Sequence, residues 1–147
     1  MNLEVDNIYT SYGLSQILFG VSLGVDEKEV VSLLGRNGVG KTTTLRSIMG
    51  LTPPSSGSIK GKGEEIAGKP SYQIAKLGIG FVPEDRRIFA DLTVWENLDV
   101  AIQRSTKRRD LWTIDRVFEL FPALQPIQRR RGGFLSGGEQ QMLAIGR

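Results

Sequence analysis

The sequence predicts an α/β fold in three parts: an N-terminal antiparallel β region, an αβ core around a glycine-rich loop, and a helical stretch. Three observations carry this. Apolar and polar residues alternate in LEVDNIYTSYG and again in ILFGVSLGV, the period of strands with one buried face. The run EVVSLLG, Glu29 to Gly35, is short and almost continuously apolar, and a glycine-rich loop and a helix-period segment follow it directly. From Thr93 to Leu124 the apolar residues recur at three-to-four spacing, the stripe of core-facing helices.

The two alternating segments are expected to pair as antiparallel strands. EVVSLLG suits a strand buried on both faces. Lys41 to Met49 reads as a helix with Leu45, Ile48 and Met49 on one side, Gly50 just past its end and Pro53-Pro54 preventing continuation. GSIKGKGEEI reads as a strand with a tight turn, SYQIAKL as a short helix, and GIGFVPE as a buried strand stopped by Pro83. Thr93 and Glu96 have capping-box spacing, which predicts a helix from there to about Arg104 with Leu98, Ala101 and Ile102 on its apolar side. Asp110 is the expected cap of another helix, carrying Leu111, Ile114, Val117, Phe118 and Phe121 before Pro122.

Composition narrows the chemistry. The 147 residues, 39% apolar and 24% charged, fit one globular domain. No apolar run approaches a membrane span, and MNLEVDNIYT lacks the basic flank and apolar stretch of a signal peptide; a cytoplasmic chain is expected. There is no Cys and no His, so disulfides, thiolate metal sites and imidazole bases are excluded. Catalysis would need carboxylates, Lys, hydroxyls or a bound cation. The net charge is +3, with basic runs at Lys107-Arg108-Arg109 and Arg129-Arg130-Arg131. These fit either solvated helix ends or a surface meeting anionic lipid or a partner. No nucleic-acid recognition module accompanies them.

The most informative stretch is Gly35-Arg36-Asn37-Gly38-Val39-Gly40-Lys41-Thr42, which matches the phosphate-loop pattern G-x-x-x-x-G-K-[ST]. Glycines let consecutive amides curl around an anion, and the following helix presents its positive end. Such a site takes ATP with Mg²⁺. Lys41 would reach the β and γ phosphates, Thr42 would place its hydroxyl on Mg²⁺, and Gly35, Asn37, Gly38, Gly40 and Thr43 complete the loop. A strand before the motif and a helix after it are the context the mechanism needs.

A second anion site lies at Ser136-Gly137-Gly138-Glu139. Its spacing is that of a capping box. Two glycines beside the cap cost helix propensity while baring amides at a positive helix end. One phosphate loop and one separate helix start suggest that two copies share a nucleotide, with Ser136 to Glu139 acting on ATP held by the other copy.

LSGGEQQ resembles the signature motif of ABC transporter ATP-binding proteins, and GRNGVGKTT agrees with it. The fold implied is an ABC-type P-loop NTPase domain. Tyr12 matches the aromatic that stacks on adenine in this family, although alone it would read as a strand-end tyrosine. FVPEDRRIFADLTVWENL with GEQQMLAIGR is similar to the LivF-type subgroup of branched-chain amino-acid importers, with urea and short-amide importers close behind. Glu84 stands at the Q-loop position, where the resemblance implies a role at Mg²⁺ and the attacking water; as an isolated residue it is an exposed turn carboxylate. Asp85 stands where the family pattern has Gly, which leaves that loop's geometry open. The resemblance implies a second ATP-binding subunit, integral membrane permease subunits and, indirectly, a periplasmic binding protein as partners, on the cytoplasmic face of a bacterial inner membrane.

In the family the signature helix leads to an apolar strand ending in the Walker B Asp, then the catalytic Glu and later the switch His. The sequence holds none of these, so it is expected to be the N-terminal part of a longer domain. Its expected organisation is a β region and phosphate-loop core (1–92), a helical subdomain (93–135) and the start of the signature helix (136–147). The intact protein is expected to be an ATPase that drives import. The 147 residues alone are expected to be marginally stable and nearly inactive, and a nucleotide-binding decoy is the rival reading.

Overall fold

The structure, a computed structural model, describes residues 2–102 and 112–147. They divide into two compact units, Met1–Phe81 and Val82–Arg147, each with a core of its own.

In the first unit the expected pairing forms. Strand β1 (Leu3–Tyr12) turns through Gly13, at φ 58°, and Leu14 into β2 (Ser15–Val25). Strand β3 (Ser56–Gly61) pairs with the other edge of β1, and the short β4 (Glu64–Glu65) follows a two-residue turn at Lys62 and Gly63. Both turn residues have positive φ, 52° and 82°, the twist that suits a tight hairpin. The sheet order is β2-β1-β3-β4, all antiparallel.

At the centre of β1 the register shifts against both neighbours, and Asn7 sits at φ 50° with its amide donating to the Ser22 hydroxyl at 2.8 Å. This bulge is why Gly57 must be glycine. A Cβ there would lie 2.5 Å from the Asn7 carbonyl oxygen and 2.7 Å from that of Asp6.

Helix α1 (Lys41–Ile48) packs on this sheet, with Met49 as its C-cap and Gly50 at φ 66° directly after. Its buried face carries Thr43, Thr44, Ser47 and Ile48, not Leu45, which is exposed. The Ser47 hydroxyl bonds that of Thr10 on β1 at 2.9 Å, with both residues fully buried, so small hydroxyl side chains let helix and strand approach closely. The core joins Val5, Ile8, Leu18, Ile48, Met49 and Ile59 to Ile66 and to Ile74 of α2 (Ser71–Lys76).

Two expected strands do not form. Neither Glu29 to Gly35 nor Gly78 to Glu84 is assigned to a strand, and Val30 and Leu34 are about nine-tenths exposed. A strand buried on both faces needs parallel neighbours and covering layers. The described residues supply only the antiparallel sheet, whose pairings leave neither segment a partner.

The second unit is helical. Helix α3 (Val94–Asp99) begins at the expected capping box: the Thr93 amide donates to Glu96 at 2.7 Å and the Glu96 amide donates to the Thr93 hydroxyl. It ends earlier than the spacing predicts, and the expected continuation to Arg104 runs beyond the described residues. Asp110, the expected cap of the next helix, and Leu111 also lie outside them. Helix α4 (Ile114–Leu120) is capped instead by Thr113, whose hydroxyl accepts from the Arg116 amide. Helix α5 (Gly137–Gly146) starts at Ser136, again with a full capping box. Val94, Leu98, Val117, Phe118, Leu124, Leu135 and Leu143 form the core.

Asn97 organises the chain around that core. It is fully buried; its Oδ1 accepts from the Phe89 amide, and its Nδ2 donates to the carbonyls of Phe89, Leu92 and Thr93. Residues 90–95 also bond the segment 128–133: Gly133 to Ala90, Gly132 to Leu92, Val94 to Arg130 and Trp95 to Gln128. Gly132 lies so close to the Phe89 carbonyl that a Cβ would stand 2.8 Å from it.

Asn97→Ala strands at least one buried amide and several carbonyls, so it should destabilise the second unit by about 2 to 4 kcal/mol. Both tryptophans, Trp95 and Trp112, lie in that unit, so urea unfolding followed by tryptophan fluorescence checks this.

The capping carboxylates give a pH dependence of known sign. The Thr93 amide holds Glu96 below the ordinary glutamate value, and the Ser136 amide does the same for Glu139. Their contribution is present above the ordinary value and is lost as pH falls through the lowered one. Amide exchange at the start of α3 and α5 should accelerate across that acid interval, and Glu139→Gln should flatten the response at α5 alone.

Candidate functional site

The phosphate loop leaves the extended segment at Gly35, φ 153°, and curls through Gly38, φ 85°, and Gly40, φ 98°. Gly40 is the left-handed N-cap of α1, with no side-chain cap and no acidic residue in the first turn. The first amides of any α-helix lack intrahelical acceptors, and here no carboxylate in the first turn competes with an anion for them. A Cβ on Gly40 would lie 2.7 Å from Leu18, whereas one on Gly38 would meet nothing within 4 Å. The inner side of the turn is therefore seated on the hairpin while the outer side stays open.

Lys41 spans this turn. Its ammonium donates to the carbonyls of Gly35 at 2.9 Å and Arg36 at 2.8 Å, so its charge rests on the loop's own oxygens. Thr42 is exposed, Thr43 is buried, and the Thr44 hydroxyl closes the first turn on the Gly40 carbonyl at 3.0 Å. Asn37 is exposed in the turn. The structure thus brings Gly35, Asn37, Gly38, Gly40, Lys41, Thr42 and Thr43 into one cradle.

Tyr12 closes β1 in the same unit, 45% exposed. Its hydroxyl accepts from the Thr52 hydroxyl at 3.5 Å. The Thr52 bond is the main reason its phenol is held below the usual tyrosine value; burial opposes it, while Thr43 and Arg46 assist. Nothing in the residue pattern singles out Thr52 or Arg46.

The second unit holds the other expected residues. Glu84 is exposed in a turn. Asp85, at the position where glycine was expected, pairs with Arg87 at 2.8 Å, and positive φ appears instead at Arg86, 60°, and Arg87, 45°.

At α5, Ser136 and Glu139 satisfy each other's amides at 2.6 and 3.3 Å, and Gly137 and Gly138, in the first turn where amides have no intrahelical acceptor, are exposed. Arg86 donates to Gln140 at 3.1 Å, and its guanidinium lies 3.2 Å from where a Gly137 Cβ would stand. The pair of arginines after Glu84 was the only sequence signal for this contact. Of the basic runs, 107–109 is outside the described residues. In the other, Arg130 approaches Glu139 at 3.7 Å.

The donor set suits magnesium and phosphate. Among the described residues no group of three or more carboxylates could hold a metal by itself. Mg²⁺ commonly takes one or two protein ligands and completes its shell with phosphate oxygens and water; an exposed Thr42 hydroxyl at the edge of an anion cradle fits that arrangement. No helix among the described residues is long and apolar enough to cross a membrane.

Comparison with known proteins agrees with this geometry. The protein family described as ABC transporter matches residues 18–147. The chain is 46% identical over 145 residues to the high-affinity branched-chain amino acid transport ATP-binding protein BraG of Pseudomonas aeruginosa, covering 99% of this chain and 62% of that protein. It is 38% identical to a probable branched-chain amino acid transport ATP-binding protein, LivF, of Archaeoglobus fulgidus, covering 97% and 61%. It is 37% identical to the lipopolysaccharide export system ATP-binding protein LptB of Haemophilus influenzae, covering 99% and 61%. The chain thus spans about three fifths of the length of these relatives.

A solved ATP-binding subunit of an ABC transporter superposes with a TM-score of 0.81 at 28% identity, covering 99% of this chain and 60% of that one. With a glycine-rich turn spanned by Lys41, a glycine-bared second helix start and relatives matched along nearly its whole length, the chain belongs to the ABC transporter family, as part of an ATP-binding domain of the P-loop α/β class.

Proposed function

We propose that this chain binds ATP with Mg²⁺ and belongs to a subunit that couples ATP hydrolysis to uptake of branched-chain amino acids. The observation that carries the nucleotide half is the Lys41-spanned cradle. An incoming phosphate replaces the two loop carbonyls as the partner of the ammonium, a charge-assisted exchange, and the α1 amides take its remaining oxygens. Tyr12 offers the base a face, Thr42 holds Mg²⁺, and Glu84 serves the metal or the water. Bound Mg²⁺ would neutralise charge on the phosphates. The amides of the exposed Gly137 and Gly138, with Ser136 and Glu139 fixing their helix start, receive the ATP of a second ATP-binding subunit.

The uptake half rests on the relatives. Of those described, the two named for branched-chain amino-acid transport are 46% and 38% identical. The subunit would work peripherally on the cytoplasmic face of the inner membrane, against permease subunits served by a periplasmic binding protein, with the helical stretch 93–135 meeting the permease. The lipopolysaccharide-export relative at 37% identity supports a second reading, in which the same cassette powers export.

In a calorimetric titration the parent chain should bind Mg·ATP, and Lys41→Ala should weaken binding by about one to two orders of magnitude, as loss of a hydrogen bond to a charged group implies. Equal affinity of parent and variant would overturn the cradle assignment. In the source cell, Lys41→Ala in the gene should reduce uptake of labelled leucine; normal leucine uptake together with a lipopolysaccharide defect would favour the export reading.

A further inference from the structure

The far end of α1 carries a feature that the phosphate cradle does not use. After Met49 and Gly50 the chain stays tied to the helix end: the amides of Leu51 and Thr52 both donate back to the Arg46 carbonyl, at 2.9 and 3.3 Å. Pro53 follows. Thr52 is therefore fixed to the helix by its backbone, and its hydroxyl is aimed at the Tyr12 hydroxyl, 3.5 Å away. Thr43, from the first turn of the same helix, helps hold the Tyr12 phenol below its ordinary value. Arg46 adds charge nearby, and its Nε is buried with no hydrogen-bond partner.

An exposed phenol at the end of a strand is otherwise free to change rotamer, and ordering such a side chain on ligand binding carries an entropic cost. Here the Thr52 hydroxyl holds the tip of Tyr12 before any ligand arrives, while the residue stays 45% exposed. The geometry points to Thr52 as a positioning residue that fixes the Tyr12 ring for stacking on the nucleotide base, with α1 as the shared reference for base and phosphates. This rests on the nucleotide reading above and adds to it a residue that touches neither base nor phosphate.

The test separates the base from the phosphates. Calorimetric titrations of the 147-residue chain compare Mg·ATP with Mg·tripolyphosphate, which has the phosphates and no base. In Thr52→Val the side-chain shape and backbone bonds are kept and the hydroxyl is lost. That variant should bind ATP about threefold to tenfold more weakly, as expected for ordering one side chain, and should bind tripolyphosphate within twofold of the parent. Thr52→Ser should restore ATP affinity, and Lys41→Ala should weaken both ligands alike.

A spectroscopic readout accompanies binding. The three tyrosines, Tyr9, Tyr12 and Tyr72, titrate in ultraviolet absorbance, and one phenol should ionise at higher pH in Thr52→Val than in the parent. Unchanged ATP affinity in Thr52→Val overturns the proposal, as does an equal loss for both ligands, which would mark a general structural role. A parent chain that binds tripolyphosphate as tightly as ATP removes the base contact and this role with it, while leaving the cradle. Binding of neither ligand overturns the nucleotide reading itself.

Discussion

The approach of Gly40 to Leu18 is the contact on which the first unit's chemistry depends. At φ 98° only glycine is at ease, and a side chain there would meet Leu18 at 2.7 Å. That seating fits the left-handed N-cap through which the loop enters α1. The Thr10 to Ser47 bond and the Thr44 bond to the Gly40 carbonyl hold the same helix from its buried side. The shape of the proposed anion cradle is therefore a by-product of packing: a helix pressed on a sheet through small hydroxyl residues, with its open end left to solvent.

The second unit solves a different problem. Its helices are short, six to ten residues, and isolated helices of that length are marginal. Order comes from their ends and from the strap at 128–133. Capping boxes satisfy the starts of α3 and α5, and Asn97 pins the approach to α3 from inside. Arg86 ties the turn after Glu84 to Gln140 at the head of α5. The glycine-bared helix start is thus held from a remote segment by Arg86 and approached from the strap by Arg130.

Much of this was legible in the residues. The phosphate loop, both capping boxes, the hairpin alternation and the short turn at Lys62 and Gly63 are local patterns whose physics is complete within a few residues. The two runs read as buried strands were not, because burial on both faces depends on neighbours that the run itself does not encode. Leu45 was placed on the wrong side of α1 because small hydroxyl residues face the sheet there, which an apolar count does not weigh. Asn97 had a faint signal, a polar residue on the apolar face that Val94 and Leu98 define, but its four partners become visible only when the loop folds back. Thr52 had none, since its role comes from a helix end returning toward a strand end.

Gly138 carries a consequence for how this surface tolerates change. Among the described residues nothing stands near the place a Cβ would occupy, and the residue lies in the first turn of α5, where alanine is the better helix former by up to about 1 kcal/mol. Folding of these residues alone would favour alanine. Under the proposed function, in which this helix start receives ATP held by a second subunit, glycine forgoes that stability and keeps a bare patch of backbone for the ligand. On that reading, a stabilising substitution chosen on the isolated molecule would select against its own partner surface.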